Sequence, residues 1–126
     1  LLVGAIGIAN TMFMSVMERT RQIGTLKALG ATNLEVMEIF LFEAAMIGLL
    51  GGLIGIFLGF IASGLISELG IRFIVTGIRG QTSLTVITPG LILFGLIFST
   101  FIGILAGILP ARRAANLQPV EALRYE

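Results

Sequence analysis

The stretch AAMIGLLGGLIGIFLGFIASGLIS, residues 44–67, carries no charged side chain, and residues 80–111 form a second and longer uncharged stretch. An α-helix rises about 1.5 Å per residue, so about 20 apolar residues cross the hydrocarbon core of a bilayer. Both stretches are longer than that. They predict two helices that cross a membrane, and therefore a chain whose main solvent is lipid.

The composition supports a membrane environment. The 126 residues are 56% hydrophobic and only 12% charged, with a mean hydropathy of +1.07, whereas soluble domains carry about 25% charged residues. Cysteine and histidine are absent, which removes disulfides, thiolate nucleophiles, imidazole bases and most transition-metal sites. The net charge of +1 gives no bulk attraction to nucleic acid. We therefore predict no metal site, no catalytic residue and no nucleic-acid partner.

Nucleotide chemistry is also unsupported. The sequence contains no phosphate-binding loop of the form G-x-x-x-x-G-K-[ST], and no pairing of a nucleophile with a base is evident. We expect no cofactor in this chain and predict that it is not an enzyme.

The chain begins inside an apolar segment. Residues 1–17 are uncharged and open with Leu1, without an initiator methionine. A helix of that length covers only about 26 Å, and no basic residues precede it as they would in a signal peptide. We interpret residues 1–17 as the end of a membrane helix, and the chain as the C-terminal part of a longer protein.

A charged segment, residues 18–33, follows this first helix. Glu18 and Arg21 are spaced for an ion pair on a helix, and Gly30 is a typical residue for ending one. Thr32 followed by Glu35 has the form of a capping box. The pattern predicts a short charged helix, a tight turn at Gly30, and a second long helix over residues 34–68.

The remaining chain is predicted to hold a connection, a third long helix and a tail. The connection covers residues 69–88, with a small β-hairpin between 71–76 and 82–87. Thr88 and Pro89 are typical N-cap and N1 residues, and Pro110 is expected to end the helix 89–110. Residues 111–126 form a tail with a short helix beginning at Pro119. The fold class is thus an all-α membrane protein with three transmembrane helices.

Basic residues predict the orientation. Three spans place the charged segment and the tail on one side of the membrane, where six lysines and arginines lie, against only Arg72 and Arg79 on the other side. Cytoplasmic loops are enriched in lysine and arginine. We expect both the charged segment and the C-terminus in the cytoplasm.

Small residues recur at every fourth position in the two long helices. This spacing keeps them on one helix face, where a second helix backbone can approach closely. They indicate helix packing within a bundle, or alternatively a dimer contact or sliding surface in a moving transporter. The predicted packing residues are Gly51, Gly55, Gly59 and Ser63 in the second helix and Gly95, Ser99, Gly103 and Gly107 in the third.

Glu43 is the one ionisable residue predicted to lie within a membrane edge. Ionisable groups inside spans are functional candidates, but a position close to headgroups equally fits a structural role. No acidic or basic residue lies deeper in a predicted span. This pattern does not favour an ion channel, a secondary carrier or a proton relay.

The charged segment allows two interpretations from its residues alone. Its basic side chains Arg19, Arg21 and Lys27 are suited to lipid headgroups. They are equally suited to docking a cytoplasmic partner, and charge does not separate the two.

Two stretches resemble the FtsX/MacB-type ABC transporter permeases. ERTRQIGTLKALGAT, residues 18–32, is similar to that family's E-R-T-R-E-I-G-x-x-K-A-L-G-A motif, with Gln22 in place of the usual glutamate. LPARRAA, residues 109–115, and PVEALRYE, residues 119–126, are similar to its C-terminal P-A-R-R-A-A and P-V-E-A-L-R-Y-E. FEA at 42–44 and GGLIG at 51–55 also fit, so that the resemblance covers nearly the whole chain.

The resemblance implies a permease with four membrane helices, of which this chain holds the last three. It implies an ABC ATPase partner that binds ATP, a second permease copy or a paralogue, and the inner membrane of a prokaryote as location. The ATPase would dock on the charged segment. From their charge and position, we expect Arg112 and Arg113 to anchor the tail at lipid headgroups in preference to contacting a partner. The implied ATPase-interface residues are Glu18, Arg19, Arg21, Ile23, Lys27, Leu29 and Gly30.

The expected function follows from this resemblance. The permease would couple ATP hydrolysis by the partner to movement of an extracytoplasmic domain, called mechanotransmission, for export or extraction of a substrate. Lipoproteins, peptides, antibiotics and lipids are all compatible as substrates. The alternative is an FtsX-like signalling scaffold that activates an extracellular hydrolase and transports nothing.

Overall fold

A computed structural model describes residues 1–69, 88–118 and 120, and all regular structure in these residues is helical. The helices are α1 (Leu2–Glu18), α2 (Thr20–Ala28), α3 (Asn33–Leu69) and α4 (Pro89–Ala115). The hairpin predicted for 71–76 and 82–87, and almost all of the tail helix predicted from Pro119, lie outside the described residues.

Two of these helices, α3 and α4, are long and apolar enough to cross a membrane. Only 11% of the most apolar window of each is buried within the chain, so their leucines, isoleucines and phenylalanines face outward rather than into a protein core. Outward apolar side chains are what a lipid solvent requires. The helix α1 is apolar but has only 17 residues, and a third span therefore stays a prediction.

The turn between α2 and α3 is built from two adjoining caps. The Gly30 amide donates to the Lys27 carbonyl at 3.0 Å and the Ala31 amide to the Leu26 carbonyl at 3.1 Å, which is the Schellman pattern. Gly30 has φ +104°. Across the turn, the Glu35 carboxylate accepts from the Thr32 amide at 2.8 Å, and the Thr32 hydroxyl accepts from the Glu35 amide at 3.3 Å. The predicted capping box is thus confirmed.

The start of α4 is as predicted, but its end is not. The Thr88 hydroxyl accepts from the Leu91 amide at 3.4 Å, with Pro89 in the first turn. The helix does not end at Pro110 but continues to Ala115. Pro110 is fully buried, and the alanine-rich turn after it packs into the core. In membrane helices, packing against neighbouring helices makes the loss of the one backbone hydrogen bond that a proline removes tolerable.

The helices α3 and α4 form an antiparallel pair, and α1 packs mainly on α4. The buried side chains are concentrated at one end of this bundle, where the end of α1, the middle of α2, the start of α3 and the end of α4 meet. A hydrophobic cluster at this end contains residues from all four helices. Its buried members are Met12, Val16, Ile23, Val36, Phe40, Ala44, Ala111 and Ala114.

Candidate functional site

The packed end of the bundle also carries the charged residues that sequence analysis singled out. Because α3 and α4 are antiparallel, the start of α3 and the end of α4 lie together, and α2 lies against both. The charged segment and the first residues of the tail are therefore neighbours on one end of the molecule.

An ion pair joins the charged segment to α3. The Arg19 guanidinium lies 3.7 Å from the Glu43 carboxylate, with the two side chains 54% and 32% exposed. Pairs with this much exposure contribute at most about 1 kcal/mol. Glu43, the residue predicted at the membrane edge, thus forms an ion pair with a residue of the charged segment.

Lys27 joins the charged segment to α4. Its ammonium donates to the carbonyl oxygens of Ala115 and, at 2.8 Å, of Leu117. These carbonyls lie at and beyond the last residue of α4, where helix carbonyls have no partner within the helix. A positive charge is also favoured there by the helix dipole. Lys27 therefore acts as a C-cap for a helix that lies almost ninety residues further along the chain.

The charged segment has an inner and an outer face. Ile23 is only 3% exposed and belongs to the hydrophobic cluster, and Lys27 is half-buried. On the outer face Leu29, the residue that follows α2, is 88% exposed, and Leu26 within α2 is 44% exposed. Five of the seven residues predicted for an ATPase interface are exposed, and these are Glu18, Arg19, Arg21, Leu29 and Gly30.

The two arginines predicted to anchor the tail lie in the last turn of α4 and are exposed. The Arg113 guanidinium lies over the Phe13 ring, 5.0 Å from its centre, which is a cation–π geometry. Arg112 and Arg113 border a cavity of about 380 Å³ together with Phe13, Leu109 and Leu117. Guanidinium groups next to apolar side chains are suited to binding a lipid headgroup. The role of the two arginines as a membrane anchor stays a prediction.

Close backbone contact holds α3 and α4 together. A Cβ built on Gly48 would lie 2.6 Å from the Ser99 carbonyl oxygen, and one on Gly103 would lie 2.7 Å from the Ala44 carbonyl oxygen. Gly107 faces Ala44, and Gly52 faces the Ser99 hydroxyl. Of the small residues predicted on α4, Ser99, Gly103 and Gly107 thus lie in this contact, and Gly95 lies beside Ile56.

The small residues predicted on α3 lie outside this close contact. A Cβ built on Gly51, Gly55 or Gly59 would meet nothing within 4 Å. Within this chain α3 uses Gly48 and Gly52 instead. Gly59 and Ser63 border an apolar groove of about 520 Å³ between α3 and α4. Packing of the Gly51, Gly55 and Gly59 face against a second helix stays a prediction.

The contacts of Gly48, Gly52 and Lys27 were not predicted from the sequence. The two glycines also follow a four-residue spacing, so the signal for them was present but shared with the neighbouring face. The contacts of Lys27 had no local signal. In the described part of the chain, no three acidic residues come together as metal ligands would.

Comparison with known proteins gives one family and many relatives. A family model described as FtsX-like permease C-terminal matches residues 1–119. The chain is 45% identical over its full length to the uncharacterized ABC transporter permease YknZ of Bacillus subtilis. It is 42% identical to the uncharacterized permease MJ1507 of Methanocaldococcus jannaschii, and 40% identical to a macrolide export ATP-binding/permease protein MacB of Bdellovibrio bacteriovorus. Each of these alignments covers all of this chain.

The relatives are considerably longer than this chain. It spans 29% of YknZ, 30% of MJ1507 and 18% of that MacB protein.

Proposed function

The chain belongs to the FtsX-like permease C-terminal family, and from this premise we propose that it is the membrane part of an ABC transporter permease subunit. Its charged segment docks a cytoplasmic ABC ATPase, which binds and hydrolyses the ATP. Movement of the ATPase is passed through the segment to the helices, and from them to an extracytoplasmic domain. The permease thereby exports or extracts its substrate without carrying it through the core of these helices.

The observation that carries this proposal is the two-sided build of the charged segment. One side of it is fixed, because Ile23 is buried between the helix ends and Lys27 and Arg19 bind α4 and α3. The other side presents Arg21 and Leu29 to the surroundings. Arginine is enriched among the side chains that dominate binding energy at interfaces, and Leu29, which is 88% exposed, would add apolar area to such a contact.

The capped turn makes the segment suitable for transmitting a push. The Schellman pair at Gly30 and the capping box at Thr32 satisfy the backbone groups of both helix ends. Only a few residues separate α2 from α3, so that even a small displacement of α2 must also displace α3. A flexible loop in this place would absorb such a displacement instead.

The basic residues support a cytoplasmic position for this end of the bundle. Arg19, Arg21, Lys27, Arg112 and Arg113 all lie there, and lysine and arginine accumulate on the cytoplasmic side of membrane proteins. The ATPase would meet the segment on that side. A second permease copy or a paralogue would pack on the uncovered Gly51, Gly55 and Gly59 face, because small residues let membrane helices approach.

The experiment that tests the proposal measures capture of the cognate ATPase by the full-length permease. We expect Leu29→Asp to weaken capture by about tenfold or more, because it places a charge in the apolar centre of the contact. Arg21→Glu should act in the same direction. Gln118→Asp is the matched control, since it adds the same charge at the same end of the bundle but outside the segment. Full capture and undiminished ATP hydrolysis in both segment variants would contradict the docking role.

A further inference from the structure

We infer that Lys27 is a positioning residue that fastens the charged segment to the end of α4, so that displacement of the segment moves α4 as well as α3. Lys27 is thus an internal transmission residue and not an ATPase contact. This inference rests on the proposed function, but the fastening itself can be measured without any ATPase.

The hydrogen bonds of Lys27 carry the inference. Its ammonium donates to two main-chain carbonyls, those of Ala115 and Leu117, and an ammonium has three donors and no acceptor. Both acceptors belong to the chain leaving α4, where partial negative charge accumulates. The one ion pair in the described part of the chain is that between Arg19 and Glu43. Among the described residues, Lys27 is therefore bound by the main chain at the end of α4 and by no carboxylate.

The alternatives to Lys27 as a link between the segment and α4 are few. Backbone contact between α2 and α4 is sparse compared with that between α3 and α4. Ile23 of α2 belongs to the same hydrophobic cluster as Ala111 and Ala114 of α4. An apolar contact resists separation of two helices, and two directed hydrogen bonds to main-chain carbonyls add a polar constraint on their register. The register between the segment and α4 therefore depends in part on Lys27.

Covalent links already tie α2 to its other neighbours. It follows α1 after the single residue Arg19 and precedes α3 by the turn at Gly30. With Lys27 in place, the segment is fixed to all three of the longer helices. Without the Lys27 hydrogen bonds, a displacement of the segment would reach α4 only through α3. Part of that displacement would then be lost at the contact between α3 and α4.

The fastening is tested by distance measurement between spin labels at Thr25 and Asn116, both exposed, in the full-length permease without ATPase. We expect one narrow distance distribution with Lys27. Lys27→Met keeps a side chain of similar length but removes the donors, and should broaden the distribution about twofold. Lys27→Arg keeps charge and donors and should remain narrow. A Lys27→Met protein as narrow as the parent would overturn the inference.

Transmission is tested with the cognate ATPase bound. Lys27→Met should keep ATPase capture within about twofold of the parent while stimulation of ATP hydrolysis by the permease falls about fivefold or more. Lys27→Arg should restore most of that stimulation. Loss of capture equal to that of Leu29→Asp would make Lys27 a contact residue and overturn the inference, as would full stimulation in Lys27→Met. Intact capture in Leu29→Asp would instead overturn the docking proposal, and the label distances would still decide the fastening.

Discussion

Replacing Gly103 by leucine is expected to separate α3 from α4 and to prevent stable folding of the permease. Even a Cβ on Gly103 would lie 2.7 Å from the Ala44 carbonyl oxygen and 2.9 Å from the Gly48 Cα. Both are main-chain atoms, so no side chain can rotate away. Overpacking in a closely packed contact costs about 1–3 kcal/mol and occasionally more, and a leucine here should reach at least the upper end of that range.

Gly64→Leu is the matched control for this substitution. A Cβ on Gly64 would meet nothing within 4 Å, so the same residue change should leave the free energy of unfolding nearly unaltered. Thermal unfolding of the purified full-length permease, followed by size-exclusion chromatography, compares the two. Equal stability of the Gly103 and Gly64 variants would show that the α3–α4 contact is not as described.

Replacing Gly30 by valine is expected to disrupt the turn of the charged segment while the bundle stays folded. Gly30 has φ +104°, a region that costs ordinary residues about 1–2 kcal/mol and is most unfavourable for β-branched ones. Relief of this strain requires a different turn, which gives up the hydrogen bonds of the Gly30 and Ala31 amides. Stimulation of ATP hydrolysis should then fall, because α2 and α3 no longer move together.

Amide hydrogen exchange measures this effect where it arises. The amides of Gly30 and Ala31 should exchange about thirtyfold faster in Gly30→Val, as a loss of about 2 kcal/mol predicts. Amides of α3 and α4 at the Gly48–Ser99 contact should keep their protection. Thr25→Val places the same side chain in the ordinary helix of the same segment and should change neither. Unaltered exchange at the turn in Gly30→Val would contradict the argument.

The features that sequence analysis predicted well are those that neighbouring residues determine. The capping box at Thr32 and Glu35 and the cap at Thr88 involve residues three positions apart, and the turn at Gly30 depends on one glycine. The two long apolar helices follow equally from uncharged length. The caps and the turn depend on local backbone geometry, and the apolar helices depend on the transfer of side chains from water to lipid. None of these features requires knowledge of contacts between distant residues.

The choice of helix face on α3 was not predictable in the same way. Glycines at Gly48 and Gly52 and at Gly51 and Gly55 follow the same spacing, so two faces of α3 permit close approach. The face that packs is decided by α4, where Ser99 and Gly103 lie opposite Gly48. Such a decision depends on residues about fifty positions away.

Burial likewise changed the interpretation of the charged segment. Ile23 and Lys27 belong to the motif that suggested an ATPase contact, but the structure turns one into the hydrophobic cluster and the other toward α4. Pro110 is a helix terminator by local rules, yet α4 continues through it to Ala115. At Pro110, tertiary packing overrides what the residue alone would indicate.

Accessibility of a single cysteine at position 29 tests the central claim most directly, because this chain has no cysteine of its own. Leu29→Cys is placed in the full-length permease, with any other cysteines replaced, and labelled by a maleimide that does not cross membranes. The account predicts labelling in inside-out vesicles but not in right-side-out vesicles, and protection from labelling when the cognate ATPase is bound. Labelling from the outside, or equal labelling with and without the ATPase, would contradict it.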